Sequence, residues 1–343
     1  MQMMPASVYV GDGAVEVQDV PVPELGPGDA LVAISHCGIC GTDLHLVLEG
    51  MGRPGSGLGH EWAGTLAAVG SDVDGWELGA RVVAAPVPGC GECRACERGR
   101  PSVCLRREPP DYLEFRGAFA RYMKVDASRL LRVPDGLSTR EAALTEPTAV
   151  AMHAVTLSGA RPGDRVLVTG GGPVGLLVTA VLVANGIDDV TVSEPAPRRR
   201  EKALAVGAAR VVEPDSFPTV SPATPVPEPF QIVFECSGRP DACATGLTQL
   251  DYAGTFVFVG TGARYPTVNH NRAIVFESTI VGAFNYDDDG FAKALDLLAS
   301  GRMPLHELIE PDDVTLDGLL GALQRCAAGE LSGKVMIVPE VAS

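Results

Sequence analysis

Four thiols crowd into fifteen positions as Cys90-x2-Cys93-x2-Cys96-x7-Cys104. Thiolates at this spacing within one loop can close a tetrahedral shell around Zn²⁺ and leave no position open for substrate, the pattern of a structural site. Gly89, Gly91 and Gly99 let a short stretch of chain wrap a small ion. An iron–sulfur cluster is the competing chemistry, since ferredoxin runs also begin with two x2 spacings. Those runs continue with x3 and a proline, which this chain lacks.

A second group of reactive side chains is more scattered. Cys40, Thr42, Asp43 and His45 place a thiol, a hydroxyl, a carboxylate and an imidazole within six residues. His60 and Glu61 follow a glycine-rich turn, and Glu146 adds a further carboxylate between Thr145 and Pro147. A catalytic zinc takes about three protein ligands of N, S and O type and keeps one position for water or substrate. Cys40, His60 and one glutamate meet that count. Cys37 stands three residues before Cys40 and mimics a redox C-x-x-C, but no strand–helix context supports it, so it reads as core.

The third motif, Gly170-Gly171-Gly172-Pro173-Val174-Gly175, fits G-x-G-x-x-G between an apolar run and a helical pattern. Its glycines permit a tight turn and a close backbone approach, and the following helix N-terminus stabilises a pyrophosphate. Glu194 lies nineteen residues beyond Gly175, where an acid hydrogen-bonds the adenosine ribose. That carboxylate disfavours a 2′-phosphate and selects NAD. Arg198, Arg199 and Arg200 pull the other way, toward NADP, unless they form a solvated first helical turn.

These motifs need elements to hold them. Residues 14–20, 30–35, 62–69, 81–85 and 120–125 are short β-branched or alternating runs between Gly and Pro, which predicts an antiparallel, barrel-like domain. From residue 165 apolar strands at 166–169, 190–193, 209–212, 231–234, 255–259 and 279–281 alternate with helices at 174–185 and 198–206, as in a parallel sheet covered on both faces. Helices at 291–299 and 316–326 and a strand at 334–338 close the chain, and periodicity does not decide which domain they join. Residues 214–229 carry six prolines, which excludes a helix and predicts a loop, ordered or mobile.

Composition agrees with a globular protein. The 343 residues fit two domains, with 46% hydrophobic and 20% charged residues. The net charge of −16 repels phosphate backbones and argues against a nucleic-acid partner. The longest apolar run is about half of a membrane span, and no leader-like segment opens the sequence. A cytoplasmic protein is expected, where nine cysteines stay reduced.

In its motifs the chain resembles the zinc-containing medium-chain alcohol dehydrogenases, over essentially its whole length. CGICGTDLH at 37–45, GHEWAG at 59–64, the four cysteines, TEP at 145–147 and GGGPVG at 170–175 carry the likeness. It implies an α/β architecture: a GroES-like antiparallel β catalytic domain over 1–148, a doubly wound Rossmann domain over 149–285, and a segment 286–343 completing the catalytic domain. It implies two Zn²⁺ per chain, a structural one on Cys90, Cys93, Cys96 and Cys104 and a catalytic one on Cys40 and His60. Glu61 and Glu146 match positions that supply the remaining oxygen ligand in the polyol, threonine, glucose and butanediol dehydrogenase branch, and both are named. Thr42 matches the hydroxyl that takes the alcohol proton, His45 its relay to solvent, and Asp43 a group orienting a ligand imidazole.

The implied reaction is zinc-assisted hydride transfer between a secondary alcohol, a polyol, sugar or vicinal hydroxyl compound, and NAD. The dinucleotide is expected at Gly170, Gly172, Pro173, Val174, Gly175, Glu194 and Arg199. The alternatives are an NADPH-dependent aldehyde or ketone reductase and a nucleotide-binding protein without turnover. Two departures stand out: Arg116-Gly117-Ala118-Phe119 where the family often has Asp-Gly-Gly-Phe, and the Pro-rich loop in place of a helix. Pocket residues are expected among Leu48, Tyr112, Phe115 and Asn285, and the assembly is expected to be a homodimer or homotetramer.

Overall fold

A computed structural model describes residues 2–106, 117–221, 223–262 and 264–339. It divides into two compact units, one of Met1–Glu146, Tyr286–Gly301 and Ile309–Ser343, the other of Pro147–Asn285 and Arg302–Leu308.

In the first unit β1 (Met3–Gly11) and β2 (Ala14–Pro21) form an antiparallel hairpin. The main sheet is built on β3 (Asp29–Gly38), β4 (Glu61–Val69), β5 (Arg81–Ala84), β6 (Tyr122–Asp126) and β7 (Leu130–Arg132). β3 pairs with β4 along one edge, and two register shifts in that ladder bend the strand, as bulges do in barrel-like sheets. The short strands follow from frequent Gly and Pro, and their alternating residues place Val32, Ile34, Leu66, Val82 and Leu130 in one core.

The second unit carries β8 (Val166–Thr169), β9 (Val190–Ser193), β10 (Arg210–Val212), β11 (Phe230–Glu235), β12 (Leu250–Phe258) and β13 (Thr279–Gly282). Among the described residues they form one parallel sheet in the order β10-β9-β8-β11-β12-β13. The chain winds outward from β8 to β10, then restarts at β11 on the other side of β8. The order reverses between β8 and β11, and at such a switch point doubly wound sheets bind ligands outside the carboxyl ends of their strands. All four residues of β8 are buried, as a central parallel strand requires.

The tail returns to the first unit. β14 (Val314–Thr315) pairs with β15 (Met336–Val338), and β15 pairs antiparallel with the end of β3. Leu319, Leu323 and Ile337 enter the core of the first unit. Residues Arg302–Leu308 belong instead to the second unit. The Pro-rich segment is an ordered loop over its described residues. Phe217 packs edge-on against Phe230, Val226 is buried, and the Thr224 carbonyl accepts a hydrogen bond from the buried Arg272.

Candidate active site

Cys40 caps the helix Gly41–Val47 in extended backbone, so its thiol projects where β3 ends. Asp43, fully buried, ties this turn to the next one: its Oδ2 accepts from the Cys40 amide at 2.8 Å and its Oδ1 from the Gly59 amide at 3.3 Å. Gly59 has φ +91°, and a Cβ there would sit 2.9 Å from Cys37 Sγ and from Phe119, so only glycine fits. The two turns therefore deliver Cys40 and His60 to one place. The register of β4 on β3 pairs Glu61 with Gly38 and brings a carboxylate beside them.

Ligand atoms of Cys40, His60 and Glu61 all lie within 4.8 Å of one another. Burial pulls the His60 imidazole down, but the Cys40 charge and hydrogen bond, Asp43 and Glu146 outweigh it and hold its pKa well above the ordinary value. Three negative groups facing one imidazole make a site that demands positive charge, and the N, S, O donor set suits a zinc with an open position. The buried Oε2 of Glu61 accepts no hydrogen bond of proper geometry, although Lys334 Nζ lies 2.7 Å away, so it keeps a lone pair for a metal. The residues fit the ion.

Sequence reasoning names Glu61 and Glu146 alike, and the structure separates them. Glu146, at the start of the helix Thr145–Ser158, is not among the three clustered ligands. Burial pushes its carboxyl up to about 7, and the Tyr286 hydroxyl hydrogen-bonds it. Two participants were missed: Tyr286 and Lys334. Lys334 Nζ lies 2.8 Å from Glu61 Oε1 and 2.7 Å from Oε2, both residues essentially without solvent exposure. Removing one partner of such a buried pair costs about 3–5 kcal/mol, because the other charge is left uncompensated. A lone lysine near the chain end carries no local signal; only the pairing of β15 with β3 brings it here.

Thr42 and His45 stand three residues apart on the helix Gly41–Val47, hence on one face. The Thr42 hydroxyl is 3.6 Å from Cys40 Sγ, and His45 Nδ1 is 2.9 Å from Glu49 Oε2, which is partly exposed. Asp43 bonds backbone amides, and its influence on His60 is electrostatic. Leu48 packs against the core of the first unit, and Asn285 is partly buried with φ 52°. Tyr112 and Phe115 lie outside the described residues.

The four-cysteine loop closes on itself. Cys93 Sγ is 3.6 Å from Cys96 Sγ and 3.9 Å from Cys104 Sγ. A tetrahedron with metal–sulfur bonds of about 2.3 Å has edges of about 3.8 Å, so the sulfurs stand at zinc spacing and well beyond a disulfide. All four ligand atoms cluster within 4.8 Å. The amides of Cys90, Leu105 and Arg106 point at cluster sulfurs at 3.4 Å, which supports thiolate charge. Backbone hydrogen bonds, that of Cys96 foremost, hold the Cys93 thiol down to about 6. The residues fit a closed zinc site.

In the second unit the glycine turn follows β8 and opens the helix Pro173–Ala184. Gly175 must be glycine, since a Cβ there would strike the Gly170 carbonyl. At Gly172, which caps the helix, a Cβ would meet nothing within 4 Å, so backbone faces open space as a pyrophosphate needs. Pro173 occupies the first helical turn, where its missing N–H costs nothing, and Val174 follows it. Glu194 is buried just beyond β9, accepting from the Gly171 amide at 2.8 Å and the Ala196 amide at 2.9 Å. Arg200 is committed to the carbonyls of Glu194 and Pro195 and to Glu213. Arg198 is exposed and Arg199 partly buried on the helix Pro197–Ala205.

A GroES-like unit with two zinc-competent clusters and a parallel nucleotide-binding sheet define a zinc- and dinucleotide-dependent dehydrogenase. Residues 26–135 match the alcohol dehydrogenase GroES-like domain, and residues 173–300 the zinc-binding dehydrogenase domain. Sorbitol dehydrogenase of Bacillus subtilis (strain 168) is 32% identical, with 98% of each chain covered. L-threonine 3-dehydrogenase of Pyrococcus horikoshii is 34% identical over 96% of each. A zinc-binding dehydrogenase from Sinorhizobium meliloti 1021 bound to NADP superposes with a TM-score of 0.88 at 30% identity, covering 99% of this chain and 100% of that one. 2R,3R-butanediol dehydrogenase from Bacillus subtilis gives 0.85 at 28%, covering 98% and 100%. The chain belongs to the zinc-containing medium-chain alcohol dehydrogenase family. It is an oxidoreductase of alcohols that uses zinc and a nicotinamide dinucleotide. Among the described residues, no helix is long and apolar enough to cross a membrane.

Proposed function

We propose that this enzyme oxidises a secondary alcohol of the polyol, sugar or vicinal-diol class with NAD as hydride acceptor. The observation that carries the reading is the convergence of Cys40, His60 and Glu61 within 4.8 Å, with a glutamate as third donor. Relatives acting on sorbitol, threonine and butanediol support the substrate class. Cys40, His60 and a carboxylate, Glu61 with Glu146 as the alternative, would hold the catalytic zinc, and the Cys90–Cys104 loop the structural one.

When bound, the zinc supplies Lewis acidity that lowers the pKa of an alcohol hydroxyl, and the dinucleotide supplies the hydride acceptor. The protein's own part is proton transfer and positioning. Thr42 Oγ1 accepts the proton of the alcohol as it gives up its own, which His45 carries outward. In support, Thr42 adjoins Cys40, and His45 contacts Glu49 at the solvent side. Asp43 locks the two ligand-bearing turns together. Gly170, Gly172, Pro173, Val174 and Gly175 admit the pyrophosphate to a helix N-terminus, and Glu194 accepts from the ribose hydroxyls. Arg199 would lie against the adenosine side.

The domain assignment proposed is catalytic over 1–148, nucleotide-binding over 149–285, and catalytic again over 286–343, apart from Arg302–Leu308, which cluster with the second unit. Assembly as a homodimer or homotetramer is supported by the edge strand β13, where Ile280 and the nearby Phe284 are exposed. A cytoplasmic location suits a cluster that functions only with reduced thiols.

The test is a panel of polyols, sugars, vicinal diols and simple alcohols, each with NAD and NADP, followed by NAD(P)H absorbance. Vicinal hydroxyl compounds with NAD are expected to give the highest kcat/KM. A preference of tenfold or more for NADPH-driven ketone reduction would replace this reading with the reductase.

A further inference from the structure

A carboxylate that belongs to a metal cluster and is also gripped by a buried ammonium has two cations competing for it. Glu61 is held in that position. A carboxylate oxygen lies within 4.8 Å of ligand atoms of Cys40 and His60, while Lys334 Nζ approaches both oxygens at 2.7 and 2.8 Å. The ammonium also donates to the Ile39 carbonyl at 2.9 Å, one residue before Cys40. Its backbone is fixed on both sides: the Lys334 carbonyl accepts from the Glu310 amide at 2.9 Å, and the Val335 carbonyl from the Ile39 amide at 3.0 Å. Gly38 stands opposite Glu61 on β4 and Met336 on β15. A Cβ at Gly38 would collide with Glu61 Oε2 and touch Lys334 Cδ at 3.0 Å, so the sheet leaves a gap shaped for this pair.

We propose that Lys334 is a positioning residue that sets how firmly Glu61 holds the catalytic metal. The inference rests on the reading of Cys40, His60 and Glu61 as that metal's ligands. Glu146 is hydrogen-bonded by Tyr286 and is not among the clustered ligands, so Glu61 is the carboxylate whose grip decides the protein ligand count. With the ammonium in place, Glu61 divides its charge between two cations and yields its position readily. Without it, the buried carboxylate has one cation left to satisfy and would bind that metal more tightly.

The experiment compares wild type, Lys334→Met, Lys334→Arg, Glu61→Gln and the Glu61→Gln/Lys334→Met double variant as full-length zinc enzymes. Two readouts are the rate at which the zinc of this site passes to a chromophoric chelator, and the visible spectrum with Co²⁺ in its place. Lys334→Met is expected to release zinc about fivefold or more slowly with a shifted cobalt band, and Lys334→Arg to restore both. In the Glu61→Gln background Lys334→Met should change release less than about twofold, because the lysine acts through the glutamate. Wild-type release and spectrum in a folded Lys334→Met protein would overturn the proposal. So would a full effect persisting without Glu61, which would mean direct repulsion of the metal. Should Lys334→Met fail to fold, Lys334→Gln, which removes the charge and keeps a donor for the Ile39 carbonyl, is compared with wild type by the same criterion. If wild type holds one zinc per chain and Cys40→Ser leaves that count unchanged, the ligand assignment fails, and not the role of the lysine alone.

Discussion

Thr42 stands two residues from Cys40, the thiol proposed to bind the metal, with its hydroxyl 3.6 Å from Sγ, and a hydroxyl there suits the proposed proton path. An alcohol losing its proton in a closed site needs an acceptor that is itself relayed to solvent, and Thr42, His45 and Glu49 follow each other at helical spacing. Thr42→Val keeps the shape and removes the oxygen, so alcohol oxidation is expected to fall by about 100-fold or more. His45→Gln should be milder, slowing oxidation most below about pH 7, where external bases are scarce, with imidazole buffer restoring part of the rate. The check is kcat against pH and against buffer concentration. Equal rates for His45→Gln and wild type across the range would place the relay elsewhere.

At the scale of elements, the two cysteine-bearing segments differ in what they hold together. The Cys90–Cys104 loop carries only the short helix Arg94–Glu97 and the 3₁₀ turn Pro101–Val103, too little apolar surface to fold by burial. Its shape depends on the sulfur cluster and on the Gly89 amide bonded to Asp288 at 2.9 Å. Cys40, by contrast, sits on a helix packed into the main core, where Leu46 and Val47 are buried. Metal analysis is expected to give two zinc ions per chain, with a chelator removing the Cys40 ion first because its shell is open. Cys93→Ser should lower the thermal midpoint by about 10 °C or more, and Cys40→Ser by no more than about 3 °C while abolishing activity. A Cys40→Ser protein that unfolds as readily as Cys93→Ser would reverse these assignments.

For the whole molecule, cofactor choice and assembly are the properties at stake. Glu194 is fixed by two backbone amides beside the glycine turn, so its carboxylate is held at a defined place there. Arg200, whose guanidinium hydrogen-bonds the Glu194 carbonyl, is spent on carbonyls and Glu213. Wild type should therefore prefer NAD, and Glu194→Ser should shift the kcat/KM ratio toward NADP by about tenfold or more. A wild-type preference for NADP would sink this. The exposed edge of β13 predicts self-association through strand pairing. Sedimentation should show a dimer or larger assembly, and Ile280→Lys should shift it toward monomer without loss of the nucleotide-binding unit's fold. A wild-type monomer at micromolar concentration would exclude it.

Local pattern made much of this legible. The C-x2-C-x2-C-x7-C spacing, the G-x-G-x-x-G turn between strand and helix, and the β-branched runs act over short stretches of chain, so type and spacing alone determine the cysteine loop, the nucleotide turn and the parallel sheet. The Pro-rich run was legible as a loop, whereas its anchoring by Phe230 and Arg272 was not. Tertiary structure alone decided which glutamate stands with Cys40 and His60, because Glu61 reaches them by sheet register and Glu146 is drawn to Tyr286, 140 positions further on. It alone decided that Lys334, 273 residues from Glu61, is its counter-ion. A buried charge takes its partner from whatever the fold brings within a few ångströms, and sequence distance carries no record of that.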